Sequence, residues 1–277
     1  MTCVELRLLG KSNKRLGLRN ERANENKNAV VCCGCYVARR IIVSGAGRSR
    51  NSCGPGIPKP KNGMLKQYED GRRQKVDWHK QQKDSQPLMV WQTVSGDNTG
   101  TYIVGRLGQH WSDMDKPSVP DEADLAAYQK LVGGYVESMV ARYYELMPKI
   151  SNGSGGAAPS KYSEILTFHV RYNKVSEFRS AIGRVYDATV KTKWAVNYEW
   201  YELVNGGDTG TYVLVLPRST WADFVSKPDV KPFREMLKEA FGQAEADSIV
   251  DRIDASVSSE TSETIQFRGD LSYMPGK

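Results

Sequence analysis

No run of eighteen apolar residues occurs in this chain of 277, so no stretch of it reads as a membrane-spanning helix. Cysteine is absent after residue 53, where all five have already been used (Cys3, Cys32, Cys33, Cys35, Cys53). That excludes a disulfide framework for the remainder. It also leaves Cys32-Cys33-x-Cys35 without the paired C-x2–4-C units and nearby histidines of a zinc site, so no metal is expected. Histidine is scarce: His79, His110 and His169 are the three, far apart and without H-x-x-x-H spacing. Residues 64–277 contain no G-x-S-x-G elbow, no Cys–His pair and no P-loop lysine after a Gly-rich turn. These absences remove the commonest hydrolytic, nucleotide-binding and metal-dependent chemistries, and no cofactor is expected.

Acidic residues are scarce at the start. Residues 1–63 hold 13 Lys/Arg against 3 Asp/Glu, leaving 26 against 29 in residues 64–277. The whole-chain charge of +7 therefore belongs to the first segment, and the remainder is mildly acidic. A nucleic-acid partner inferred from net charge would be an artefact of averaging, and neither nucleic acid nor membrane is expected as a partner. All six Trp and all three His follow residue 64. Two compositions thus meet near that point. Residues 1–63 read as a disordered basic tail, and the junction beside Met64 suggests a mis-assigned start. No intact signal peptide is present, which makes the location cytoplasmic by default, with export left open if the start is wrong.

What the chain does have is a stretch that occurs twice, 110 residues apart. Gly96, Thr99, Gly100 and Tyr102 recur as Gly206, Thr209, Gly210 and Tyr212. Trp111 and Asp113 recur as Trp221 and Asp223. Recurrence in both halves favours a structural role. The glycines suit a tight turn, the Asp can cap a short helix, and the Trp can pack over a sheet end. Around each copy the pattern reads strand, long helix, strand, strand, shorter helix, strand. The expected fold is α+β: two tandem ferredoxin-like βαββαβ repeats whose antiparallel sheets pack face to face as an intrachain α/β barrel. The expected domains are a tail at 1–63, a first repeat at 64–150, a linker at 151–160 and a second repeat at 161–277. Three prolines in 54–60 (Pro55, Pro58, Pro60) stand where the first repeat should have its first strand, so that strand is expected to be missing.

Met64-Leu65-Lys66-Gln67-Tyr68, Trp78-His79, the Gly-Asp-Asn-Thr-Gly-Thr-Tyr hairpin and Trp111-Ser112-Asp113 carry a resemblance. The chain resembles the dimeric α/β-barrel superfamily, which includes NIPSNAP-like proteins, stress-responsive barrel proteins and antibiotic-biosynthesis-type monooxygenases. More narrowly, it looks like an uncharacterised bacterial family of tandem barrels. The resemblance covers residues 64–277. It implies an intrachain pseudo-dimer, with a further homodimer left open, and fixes no chemistry. Three functions stay in play: a tandem barrel that binds a small molecule in its cavity or is non-catalytic, a cofactor-independent monooxygenase or isomerase, and a structural or interaction module.

Strand alternation selects the candidate binding residues. In the second repeat Leu166, Phe168 and Val170 should meet the helices, leaving Ile165, Thr167, His169 and Arg171 for the interior. A cluster of His169, Arg171, Glu202, Tyr212, Gln266 and Arg268 could hold an anion or enolate, with Arg supplying fixed donors and His a mobile proton. Cross-strand ion pairing is the structural alternative. His79, on the first long helix, reads as a partly buried, hydrogen-bonded histidine rather than a catalyst.

Overall fold

The computed structural model describes residues 52–53, 56–153, 159–225 and 228–276. The tail, most of it before residue 52, and the centre of the linker lie outside the described residues. Ten strands form one antiparallel sheet: β1 (Ser52–Cys53), β2 (Gly56–Pro60), β3 (Met89–Ser95), β4 (Tyr102–Gly105), β5 (Val136–Ala141), β6 (Tyr143–Leu146), β7 (Tyr162–Val170), β8 (Glu199–Asn205), β9 (Thr211–Arg218) and β10 (Val257–Phe267). Among the described residues five α-helices accompany them: α1 (Leu65–Gln81), α2 (Asp121–Leu131), α3 (Val175–Thr192), α4 (Phe233–Phe241) and α5 (Gln243–Ser256). No helix among the described residues is long and apolar enough to cross a membrane.

The ladders run in the order β1-β6-β8-β9-β7-β10-β3-β4-β2-β5. Each repeat contributes a ferredoxin-like sheet, and the closing strand of each also pairs with the other. β10 pairs with β7 along its length and with β3 through Thr264–Phe267. β5 and β6 are two halves of one run, parted only at Arg142. β5 pairs with β2 in its own repeat, and β6 pairs with β8 in the other. The repeats therefore do not meet only as two stacked sheets. They are joined edge to edge at two seams. No ladder joins β1 to β5, so hydrogen bonds alone leave the sheet open, and the chain through Arg142 links β5 at one end to β6, the strand beside the other end.

The first strand of the first repeat is present, which corrects the expectation from the prolines. β2 pairs with β5 from Gly56↔Ala141 to Pro60↔Val136, but with β4 at Gly56↔Val104 alone. In an antiparallel strand successive residues present their amide groups to opposite sides. Ile57 and Lys59 face β5, and Lys61 N continues that side by donating to Tyr135 O at 2.9 Å. Pro58 and Pro60 face β4, where their missing N–H groups shorten the ladder without breaking the strand.

Helix α3 shows why the second repeat has the larger core. Phe178, Ala181, Ile182 and Val185 recur at helical spacing, and each is buried. They pack on Leu166, Phe168, Trp200, Tyr212, Leu214 and Leu216 from the sheet and on Met236, Leu237 and Ile249 from α4 and α5. The first repeat has one helix, α2, where the second has two, and its core is smaller: Tyr68, Val90, Tyr102, Val132 and Leu271. There α1 and α2 meet backbone to backbone. A Cβ on Gly71 would lie 2.0 Å from Leu131 O, so only glycine permits the approach. A third cluster, Met89, Trp91 and Ile265, lies on the sheet face away from the helices.

Candidate functional site

The doubled stretch forms the β3–β4 and β8–β9 turns. Thr101 Oγ1 donates to Asn98 O at 2.8 Å, and Thr211 Oγ1 to Asp208 O at 2.7 Å. The glycines do more than turn the chain. A Cβ on Gly206 would stand 2.2 Å from Ala141 O, and one on Gly96 would stand 3.0 Å from Ser262 O. Each turn glycine thus lies against the closing strand of the other repeat, at the seam. Downstream, Asp113 accepts from His110 N at 2.7 Å and Asp223 from Thr220 N at 2.8 Å. Trp111 stacks near Tyr143 and Trp221 near Tyr162.

The tyrosines of the motif are fully buried on the helix side of the sheet, and each hydroxyl meets a charged residue at the same place on the long helix. Tyr102 Oη donates to Glu69 Oε1 at 2.7 Å, and Arg179 Nε donates to Tyr212 Oη at 2.7 Å. Glu69 and Arg179 are 110 positions apart, so one anchor recurs with reversed charge. In the first repeat Arg268 completes it, reaching Glu69 Oε1 at 2.5 Å, Gln92 Oε1 at 2.8 Å and Asp270 Oδ2 at 2.8 Å. In the second repeat Glu202 does so, paired with Arg179 and accepting from Tyr212 Oη at 3.1 Å. The bond from Arg268 is the main reason the Glu69 carboxyl is held below the usual range, against the opposing effect of burial.

The six candidate binding residues do not converge. Glu202 and Tyr212 share the Arg179 anchor, and Arg268 belongs to the Glu69 anchor in the other repeat. Gln266 stands between Gln92 and Tyr162 in the ladders. His169 lies on the opposite strand face from Phe168, with Nδ1 3.3 Å from Thr211 Oγ1. Arg171 is exposed and donates to Ala255 O at 2.6 Å. Alternation along β7 and β10 assigned the faces, but strand order, which alternation does not contain, decides which residues meet. Arg268→Ala should therefore lower stability, by about 2 kcal/mol for a largely buried charge with several partners. Urea unfolding monitored by tryptophan fluorescence would measure it.

His79 anchors a separate buried network in the first repeat. Its Nδ1 lies 2.9 Å from Asp84 Oδ2, and its Nε2 lies 3.3 Å from Lys75 Nζ. Lys75 Nζ reaches Asp124 Oδ1 at 2.5 Å and sits 3.5 Å from the Trp78 ring centre. Asp84 also holds Arg106 Nη2 at 3.0 Å, Gln86 N at 2.9 Å and the Ser118 hydroxyl. Sequence alone concealed this network, because Asp124 lies 45 residues beyond His79 on another helix.

A broad opening lies on the sheet face away from the helices. It is a cavity of about 1210 Å³, walled by alternate residues of strands from both repeats. Ile57, Met89, Trp91, Ile103, Val140, Ile165, Val213, Val215 and Ile265 give it an apolar lining. Polar and charged groups interrupt it, among them Thr93, Arg142, Tyr144, Thr167, Glu199, Tyr201, Arg218, Asp223, Lys231 and Glu263. Tyr201 Oη donates to Glu199 Oε2 at 2.7 Å, and Asn98 donates to Glu263. Ile165 and Thr167 are on this wall, as alternation along β7 required. None of the six candidate residues is.

No protein-family model and no curated protein matches the sequence. Among solved structures, an anthrone oxidase-like protein superposes with a TM-score of 0.50 at 13% identity, over 83% of this chain and 95% of that one. The likeness is one of ferredoxin-like α+β fold. Two further structures give similar values. A candidate monooxygenase from Lactobacillus acidophilus NCFM gives a TM-score of 0.49 at 6% identity, covering 83% of this chain and 98% of that one. A candidate chlorite dismutase, TA0507, gives 0.48 at 8% identity, covering 80% and 96%. At such identities the likeness is one of fold. A shared fold fixes no chemistry, which has to be read from the side chains themselves.

Proposed function

We propose that the protein binds a small, largely apolar molecule inside the sheet-walled cavity. The observation that carries this reading is the cavity itself, about 1210 Å³ with walls drawn from both repeats, more apolar than polar, and charged groups set among them. Small-molecule sites have this composition, with apolar surface supplying affinity and scattered polar groups fixing orientation. A structural module would be expected to fill the same space with side chains, since interiors pack densely. The neighbours' names make oxygen insertion the first reaction to assay on any ligand found this way.

The neutral dye N-phenyl-1-naphthylamine tests the reading. It should bind saturably at one site per chain, with enhanced fluorescence and energy transfer from Trp91. The double variant Thr167→Trp/Val215→Trp, which places two indoles in the cavity, should weaken binding at least tenfold, about 1.4 kcal/mol. Undiminished binding to a folded double variant would place the dye elsewhere and defeat the proposal.

A further inference from the structure

Two described arginines, Arg72 and Arg142, have nitrogen atoms buried without a partner and form no ion pair among the described residues. Arg72 lies on α1, away from the cavity, whereas Arg142 lines it. Arg218 also lines the cavity and leaves its Nε unpartnered, but its Nη2 is bonded to Glu164 Oε2 at 2.9 Å, so its charge is already answered. Arg142 occupies the one-residue gap where the closing strand passes from β5 to β6. Its Nε would lie 3.7 Å from a Cβ on Gly207, so this part of the side chain runs alongside the second turn.

Arg142 is half-buried on the cavity wall, and a guanidinium there with no counter-ion among the described residues costs free energy unless a ligand supplies an anion. Among the described residues no ion pair joins Arg142 to the carboxylates on the cavity wall. Asp223 is held by Ser219 N and Thr220 N at 3.0 and 2.8 Å. Glu199 is seven residues from Gly206 along β8, roughly 23 Å at 3.3 Å per residue. Glu263 lies on β10, at the other seam. From this geometry, and resting on the cavity reading above, we infer that Arg142 receives an anionic oxygen group, a carboxylate or enolate, on an otherwise apolar ligand. The planar fork of an arginine suits two such oxygens, and the apolar wall formed by Val140, Val213 and Ile165 suits the remainder of the molecule.

A matched pair of dyes separates this claim from the one beneath it. 1-Anilinonaphthalene-8-sulfonate carries an anionic group, and N-phenyl-1-naphthylamine is its neutral counterpart. Arg142→Gln should weaken the sulfonate dye about tenfold while changing the neutral dye less than twofold. Retained binding of the neutral dye also shows that the variant is folded. Arg142→Lys should recover part of the loss, since it restores charge without the fork. If the neutral dye binds and Arg142→Gln leaves the sulfonate dye unchanged, the cavity stands and the Arg142 assignment is overturned. If neither dye binds the unaltered protein, the cavity reading falls and this inference falls with it.

Discussion

Gly206→Ala should cost about 4 kcal/mol of unfolding free energy, against about 1 kcal/mol for Gly100→Ala in the other copy of the same motif. Both glycines sit at positive φ, 91° for Gly206 and 88° for Gly100, so both substitutions incur the left-handed backbone penalty. Their surroundings differ. A Cβ on Gly100 meets nothing within 4 Å, whereas one on Gly206 stands 2.2 Å from Ala141 O and 3.0 Å from Arg142 Cα. Those are backbone atoms in the strand that passes between the repeats, so relief would require moving a seam rather than rotating a side chain. A loss near 4 kcal/mol is a large share of the 5–15 kcal/mol that holds a typical domain. Urea unfolding of both variants gives the comparison, and equal losses would mean that the seam is not a close approach.

That contrast bears on what the sequence could disclose. Recurrence at a fixed offset located both turns, and alternation along β7 placed Leu166 and Phe168 against the helices and Ile165 and Thr167 on the other face. These are local periodicities, and a single chain displays them. The seams are not local. That Gly206 meets Ala141, or that Glu69 meets Arg268, follows from strand order and from pairing over long separations. β2 was hidden for a different reason: its prolines count against a strand only if both edges must carry ladders, and one edge of β2 barely does. Arg142 was only half legible. Alternation sets it on one face with Val140, Tyr144 and Leu146, the face that lines the cavity, but its lack of a counter-ion among the described residues is a property of the folded chain.

His79 should make the protein progressively less stable between pH 6.5 and about pH 4. Burial is the first cause, depriving an imidazolium of solvent, and the Lys75 ammonium beside Nε2 adds to it. Together they outweigh Asp124 and Asp84 and bring the His79 pKa down to about 4 from an ordinary 6.5. The geometry suits a neutral ring: Nδ1–H can donate to Asp84 while the Nε2 lone pair accepts from Lys75. Below pH 6.5 the unfolded chain takes up a proton at this histidine and the folded chain does not, so acid favours unfolding. The slope approaches 1.4 kcal/mol per pH unit, about 2 kcal/mol between pH 6.5 and 5, where carboxylates contribute little, and roughly 3 kcal/mol by pH 4. Asp84 extends the same trend. Burial opposes its ionisation, yet the bonds from Ser118, Gln86 N and Arg106 prevail and hold its carboxyl below the ordinary range. Its contribution is present above the unfolded pKa and disappears as pH falls through the lower folded one. Unfolding free energies measured at intervals from pH 7 to 5 should show the His79 slope in the unaltered protein. His79→Asn should be less stable at pH 7 and nearly flat across that interval. A variant that kept the full slope would show that the proton taken up on unfolding belongs to another group.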